Sequence, residues 1–402
     1  VKKRTLFLVC FCFVSQLYAE EAQTKSEFLS VEKKKEQTPS NASSEPNRLS
    51  VSQQMNSPSI PSDLKKIEDV QKNEPTPSEI QENTGPMKAP ETPEEIKREV
   101  HAPPSGAIGV EGAWDIYGWL SMLYWQPKQN GWEVGKVFAI DGNPSSVINQ
   151  KFDFKPAFKV GIGVHFDYDD WVACMEYTHV AATDKVSHPI HTGASFQSFW
   201  MKNPTFTTHV ESVWKMHLDL VDLMKARPFY VGQKVILQPS YGFRLFWLGQ
   251  KIYEDCLIGE NYQARGGTHS WAIGLRGGLN TQWMLEKGFR IFAHGAASLF
   301  YQRFHARVCL DDVDALPGVV KLFARQQEGR VNPSIEAASG CGYGFYFKEQ
   351  KWHFDVLVSY EFHYFWHQNE IVNTIQDFQE NVRAGSEGLS LQGLTLIARL
   401  DY

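Results

Sequence analysis

The chain has 402 residues, 42% of them hydrophobic, a net charge of -6 and a pI near 6.1. That length can bury one large core or two modest ones. The acidic balance, without a basic stripe, excludes a nucleic-acid binder, which needs clustered Lys and Arg to neutralise phosphates.

Lys2, Lys3 and Arg4 precede an apolar run from Leu6 to Val14, and the small residue Ala19 follows soon after. This pattern predicts a Sec-type signal peptide over residues 1–19, because a spanning helix needs about 20 apolar residues. Cys10 and Cys12 lie inside the run without a small residue before them, which argues against a lipid anchor. From 20 to 112 the sequence is rich in Pro, Ser and charge, with Phe28 as the one aromatic residue before about Pro104. Such a segment buries too little apolar surface to offset its ordering entropy. A disordered periplasmic arm is expected, either a plain linker or a tether that reaches the cell wall.

From Trp114 onward Gly, aromatic and β-branched residues dominate, and no apolar run reaches 18 residues, so helical spans are excluded there. Period-two alternation takes over. Phe158, Val160, Ile162, Val164, Phe166 and Tyr168 fall on one face, against Lys159, Gly161, Gly163, His165 and Asp167 on the other. After a turn at Asp169 and Asp170, Trp171, Ala173, Met175 and Tyr177 oppose Cys174, Glu176 and Thr178. Next, Trp214, Met216, Leu218 and Leu220 oppose Lys215, His217 and Asp219, and Trp271, Ile273, Leu275 and Leu279 oppose Arg276, Asn280 and Gln282. The stretch from Cys309 to Asn332 breaks the rhythm at Leu316-Pro317-Gly318 and reads as a long outer loop with a short helix, one that either folds inward as a constriction or stays at the surface for adhesion. Trp352 to Tyr364 alternates again, with Asp355 and Glu361 on the polar face. The last strand places Leu394, Leu396, Ala398, Leu400 and Tyr402 against Thr395, Arg399 and Asp401, with Ile397 as an apolar exception.

Strands of this length, with aromatic ends and a charged second face, suit a tilted strand between lipid and water better than a soluble sandwich, whose core tolerates no unpaired charge. The 13% aromatic content points the same way. The expected fold is all-β: a transmembrane antiparallel barrel over 113–402, of about 12 strands, with 14 as the alternative.

The ordered series of motifs resembles the pore-forming major outer membrane proteins of the Legionella type, which extend to chlamydia-like bacteria. The resemblance rests on Leu123-Tyr124-Trp125 with Gly131, and on Phe158 to Gly163 leading to Asp170-Trp171 and Glu176-Tyr177-Thr178. It continues with Trp214 to Leu218 and Asp222, Leu237-Gln238-Pro239 with Gly242-Phe243-Arg244 and Gln250, and Leu391 to Thr395 running to the final aromatic. It covers most of 114–402 and implies a passive pore for small hydrophilic solutes in the bacterial outer membrane. The Pro-rich arm departs from it.

Lys159, His165, Asp167, Glu176, Lys215, Asp219, Arg244, Arg276, Asp355, Glu361 and Arg399 are the candidate lumen-facing charges. They either tune ion preference or bridge the lumen with salt bridges. Ala398, Leu400 and Tyr402 form the candidate assembly signal for the barrel-assembly machinery. Beyond the leader lie Cys174, Cys256, Cys309 and Cys341, with Cys256 and Cys309 in turn-like stretches as the candidate disulfide. His294 and Ser298 share a face, but four residues along a strand separate them by about 13 Å, too far for proton transfer. His188 and His191 lack a carboxylate partner set for metal. No catalytic residue, metal or cofactor is expected. The expected partners are the lipid bilayer, the assembly machinery, small hydrophilic solutes and, through the arm, the cell wall; no nucleic acid is expected, and homo-oligomerisation stays open. The rival function is a surface-exposed structural or adhesin barrel without an open pore.

Overall fold

The computed structural model describes residues 116–402 apart from 140–142, 167–168, 199–206, 258–261, 313–319, 348–350 and 381–386. The signal-peptide and arm assignments, and Asp167 and Tyr168, lie outside the described residues.

The described chain is all-β with one α-helix. In chain order it runs β1 (Ile116–Gln129), β2 (Glu133–Phe138), β3 (Pro144–Asn149), β4 (Lys155–Phe166), β5 (Trp171–Pro189), β6 (Ser195–Ser198), β7 (His209–Ala226), β8 (Phe229–Val231), β9 (Val235–Leu257) and β10 (Tyr262–Met284). There follow β11 (Phe289–Asp312), β12 (Val320–Phe347), β13 (Trp352–Phe365), α1 (Glu370–Glu380) and β14 (Leu389–Asp401). Ten strands pair antiparallel in the order β10-β11-β12-β13-β14-β1-β4-β5-β7-β9, and β9 pairs back onto β10 to close the ring. The closing pair of first and last strands runs from Tyr117↔Asp401 to Gln129↔Leu389. Closure leaves no unpaired edge in the ring, the condition for crossing hydrocarbon with strands.

Strand number is corrected from about 12 to ten, and the reason is strand length. β9 and β10 each take 23 residues, β11 takes 24 and β12 takes 28, so fewer strands consume the same chain. The expected loop over 309–332 is corrected with it: Cys309 to Asp312 finish β11, and from Val320 onward the residues belong to β12.

Turn chemistry sets the two ends apart. At one end β4 pairs with β5 as far as Phe166↔Trp171, and in the connection Asp169 and Asp170 have φ of 65° and 54°, a left-handed conformation that Asp tolerates. β10 turns into β11 through Lys287 and Gly288 with φ of 61° and 83°. The other end carries a three-stranded sheet in the order β3-β2-β6, and α1 between β13 and β14. Outer-membrane barrels keep short turns toward the periplasm and longer connections outside. That rule orients the molecule, with both ends of the ring's chain on the periplasmic side.

The polarity of the wall inverts along the strands. Near the periplasmic end the outer face is apolar: Phe158, Val160 and Ile162 on β4, Ile273, Leu275 and Leu279 on β10, and Leu394, Leu396 and Leu400 on β14 are all exposed. Aromatic residues bound this band, with Trp283, Phe289 and Tyr402 below and Trp247, Trp271 and Tyr301 above. A continuous apolar band of this extent fits lipid, since soluble proteins rarely expose contiguous apolar patches of more than a few hundred Å². Above it the pattern reverses. On β7, Trp214, Met216, Leu218 and Leu220 are buried inside while Lys215 and His217 are exposed outside. With water on the outside, the apolar side of a strand must turn inward. The sequence-based facing of β7 is therefore corrected: its apolar residues fill the interior, and Lys215 and Asp219 lie on the outer wall.

Candidate functional site

Inside the lipid-embedded part, alternation forces one side chain in two toward the interior. On β4 this presents Lys159 and on β5 Glu176; on β7 it presents Asp222, on β9 Arg244 and on β10 Arg276. His294 on β11, Glu336 on β12, and Glu361 and His363 on β13 complete the ring. Three permanent cations face four carboxylates and two histidines, and most of these groups meet one another.

Arg244 grips Asp222 on the neighbouring strand through Nε to Oδ1 and Nη2 to Oδ2, both 2.7 Å. The same Nη2 donates to Glu336 Oε2 at 2.8 Å, from β9 to β12. Arg276 donates to the other Glu336 oxygen and lies 3.9 Å from Asp222. Lys159 Nζ stands 2.7 Å from Glu361 Oε2, and His363 is 3.3 Å from both Glu336 and Glu361. His294 meets Arg276 at 3.2 Å and Glu336 at 3.4 Å. The result is a charged belt tied from β4 to β13. Its core members, Arg244, Asp222, Glu336, Glu361 and His363, have side chains no more than 8% exposed. Buried charges persist only when paired, and here each carboxylate of the belt core has a cation.

Beneath the belt, Arg290 donates to Asp355 at 2.6 Å, and Arg399 holds Asp401 while lying 4.0 Å over the Tyr117 ring. His353, Asp355 and Asp401 bring three donor atoms within 4.8 Å of one another, yet both carboxylates already hold arginines, so a cation entering there would displace existing pairs. His165 points inward beside Tyr117, with rings 4.9 Å apart.

Above the belt the interior carries a plug of buried aromatic and aliphatic side chains among buried polar groups that include Gln250, Gln302 and Asn332. Trp125, Trp214, Phe246, Phe300 and Phe365 are fully buried, and Phe246 packs edge-on against Phe300 at 4.8 Å. Helix α1 folds onto β10, β11 and β12 and buries Ile371 and Ile375 in this plug. It is held by a reciprocal amide pair, Gln302 with Gln368 at 2.9 Å in both directions, by Arg330 on Glu370, and by Thr374 donating to Gln326.

Of the sequence-derived candidates, Lys159, His165, Glu176, Arg244, Arg276, Asp355, Glu361 and Arg399 face the interior, whereas Lys215 and Asp219 face outward. Asp219 instead binds Tyr177 and His179 on the outer wall, at 2.7 and 2.8 Å. The disulfide expectation is corrected. None of the four described cysteines forms a disulfide, and Cys256 points inward from β9 while Cys309 points outward from β11, with β10 between them. His294 keeps to Arg276 and Glu336, and Ser298 stays apart from it. His188 and His191 are exposed. Asp222, Glu336, His363 and the polar contacts of α1 were missed as site residues. For Glu336 a signal existed in Asn332, Ser334 and Glu336 alternating with Val331 and Ile335, diluted by the small residues that follow.

A family model described as the Legionella pneumophila major outer membrane protein precursor matches residues 109–401. The chain belongs to this family. As a member of the Legionella major outer membrane protein family it is a barrel of the bacterial outer membrane in contact with lipid, and the matched span covers every described strand. No curated protein matches it. Among solved structures, it is similar to the outer membrane protease OmpT of Escherichia coli, at 12% identity over 74% of this chain and 99% of that one, TM-score 0.39. It is also similar to Ail, the attachment invasion locus protein of Yersinia pestis, at 10% identity over 70% and 97%, TM-score 0.21. A Pseudomonas aeruginosa FadL homologue is similar at 8% identity over 72% and 90%, TM-score 0.22.

Proposed function

We propose that this family member is a surface-exposed outer-membrane barrel whose resting lumen is closed. The observation that carries this is the link from Arg244 to Glu336 across the interior, beneath a plug of buried aromatic side chains. A standing aqueous path requires lining groups hydrated by water. Here the belt core is buried and its charges are paired within it. Such a barrel anchors its outer sheet and α1 end at the cell surface, with no bond made or broken.

A second reading keeps the passive pore for small hydrophilic solutes, opened from this closed form. It is favoured by the chemistry of the belt: a permanently sealed barrel is filled at least as stably by apolar residues, so ionic groups in the interior call for a role beyond filling. On that reading α1 is the displaced element, since polar contacts hold much of it.

Proteoliposome swelling separates the two. Vesicles carrying the folded protein in isosmotic pentose are expected to swell no faster than empty vesicles. Swelling that scales inversely with solute size would establish the pore instead.

A further inference from the structure

Histidines collect at one level of the outer wall. His179 on β5, His217 on β7, His269 on β10 and His305 on β11 all face outward, within one outward-facing position of one another in height. His179 lies opposite Asp219, His217 and His269 both lie opposite Gly249, and His305 lies opposite His269. Asp219 is in turn level with Trp247 and Trp271, so the row stands at the upper aromatic band and one step above it. His217 and His269 are exposed there to the water and headgroup layer.

Two of these rings stand close enough to share an ion. His179 Nδ1 meets Asp219 Oδ1 at 2.8 Å, and the Tyr177 hydroxyl donates to the same oxygen at 2.7 Å. A carboxylate accepts, so Nδ1 carries the ring proton and the lone pair falls on Nε2. A histidine backed by a carboxylate in this way is the usual metal ligand, its tautomer and orientation already fixed. The His217 ring is 6.5 Å from the His179 ring, centroid to centroid. Two imidazoles on one ion at about 2.1 Å hold their centroids about 5 to 6.5 Å apart, so a small side-chain rotation brings both onto a common ion. Gly249 opens a third position. The His269 ring leans into the space over this glycine, with Nδ1 3.3 Å from where a Cβ would stand, and His217 flanks the same gap from the other side. Their backbones are two strand spacings apart, roughly 10 Å, a span that two imidazoles and an ion can bridge. Lys215 and Lys251 stand one outward position higher, with the Lys215 ammonium over the Tyr253 ring at 5.6 Å, and Asp219 offsets the charge of a bound cation. We infer that His179, His217 and His269 bind one divalent transition-metal ion of the zinc or copper class, with Asp219 orienting His179. Imidazole nitrogen selects such ions over magnesium and calcium, which prefer oxygen.

The test titrates the full folded chain, untagged and in neutral detergent, with Cu2+ alone near neutral pH. Affinity is read by competition with a chelator, and the ligand set from nitrogen hyperfine splitting in the electron paramagnetic resonance spectrum. Saturable binding through imidazole nitrogens is expected, displaced by Zn2+ and not by Mg2+. His217→Ala is expected to weaken binding by more than about tenfold and to remove a nitrogen from the spectrum. Asp219→Asn is expected to weaken it about tenfold with the nitrogen count unchanged. His188→Ala/His191→Ala, exposed histidines elsewhere, is expected to bind as the parent does. If Asp219→Asn fails to fold, His217→Ala carries the test, since its side chain is exposed. Absence of saturable binding, undiminished binding by the folded His217→Ala or Asp219→Asn variant, or equal displacement by Mg2+ overturns the inference. So does loss of binding in His188→Ala/His191→Ala, which would place the ion elsewhere and leave the row as interfacial rings only.

Discussion

Arg244 Nη2 lies 2.8 Å from Glu336 Oε2 and joins β9 to β12 inside the barrel, past β10 and β11. The same guanidinium forks onto Asp222, so one side chain satisfies two buried carboxylates. An Arg fork does this where a Lys ammonium cannot, because its donors are planar and fixed.

Removing that fork leaves Asp222 and Glu336 buried with Arg276 as the permanent cation still shared between them. Arg244→Ala is expected to lower unfolding stability by about 3 to 5 kcal/mol, read from urea titration of the protein folded in vesicles. Arg244→Lys should lose less, because it retains the charge. Equal losses for the two variants would show that the charge alone contributes nothing and that the whole effect lies in the fork geometry.

The inversion of β7 makes a paired prediction. Trp214→Ala opens a hole in the filled interior and should cost about 3 to 5 kcal/mol. Lys215→Ala, one residue away on the outer wall, should stay within about 0.5 kcal/mol. The same unfolding titration reads both, and the opposite ranking would restore the facing suggested by alternation alone.

That contrast shows what the sequence makes legible. On β4, β13 and β14 the described strand lies largely within the lipid band, where apolar residues face out, and their facing follows directly from alternation. Alternation defines two faces but not which medium each meets. Trp214 to Leu220 alternate just as clearly as Phe158 to Val164, yet they stand above the band, and only the assembled barrel reveals it. Strand length was hidden for a related reason. The cue Leu316-Pro317-Gly318 lies outside the described residues, and the residues on either side carry the sheet far past the membrane. Helix α1 left a trace, Ile371, Val372 and Ile375 at helical spacing, too short to stand out between two strands. The ion-pair partners of the belt were legible only as residue types, because pairing depends on which strands meet across the interior.

Glycine spacing on β4 has a packing cause. Gly161 and Gly163 lie opposite Trp119 and Tyr117, whose rings occupy the space a Cβ would need. Gly161→Val is expected to destabilise the folded barrel by about 1 to 3 kcal/mol. Trp119→Ala in the same chain should recover part of that loss in a double-mutant cycle, and strictly additive effects would rule out the contact as the cause.

With Cys256 and Cys309 on opposite sides of the wall, all four described thiols should react in the unfolded chain whether or not reductant is added. Thiol titration of protein unfolded without reductant checks this. A shortfall of two would mean that a bridge forms.

At the seam, the Ile116 amide donates to the Tyr402 carbonyl at 3.0 Å and the Tyr402 amide to the Ile116 carbonyl at 2.9 Å, while the Tyr402 ring packs 4.4 Å from Trp352. Deleting Tyr402 removes both bonds and the lower aromatic anchor together. Outer-membrane levels, read by heat-shifted gel mobility of the membrane fraction, are expected to fall several-fold. Normal levels would mean that the final residue is neither a structural clasp nor an assembly signal.

The closed lumen is tested most directly by conductance across a planar bilayer holding the purified, folded chain at low voltage. The belt and plug predict a quiet baseline, without discrete steps. Sustained, stepwise current from the unmodified protein would contradict them and show that the interior opens at rest.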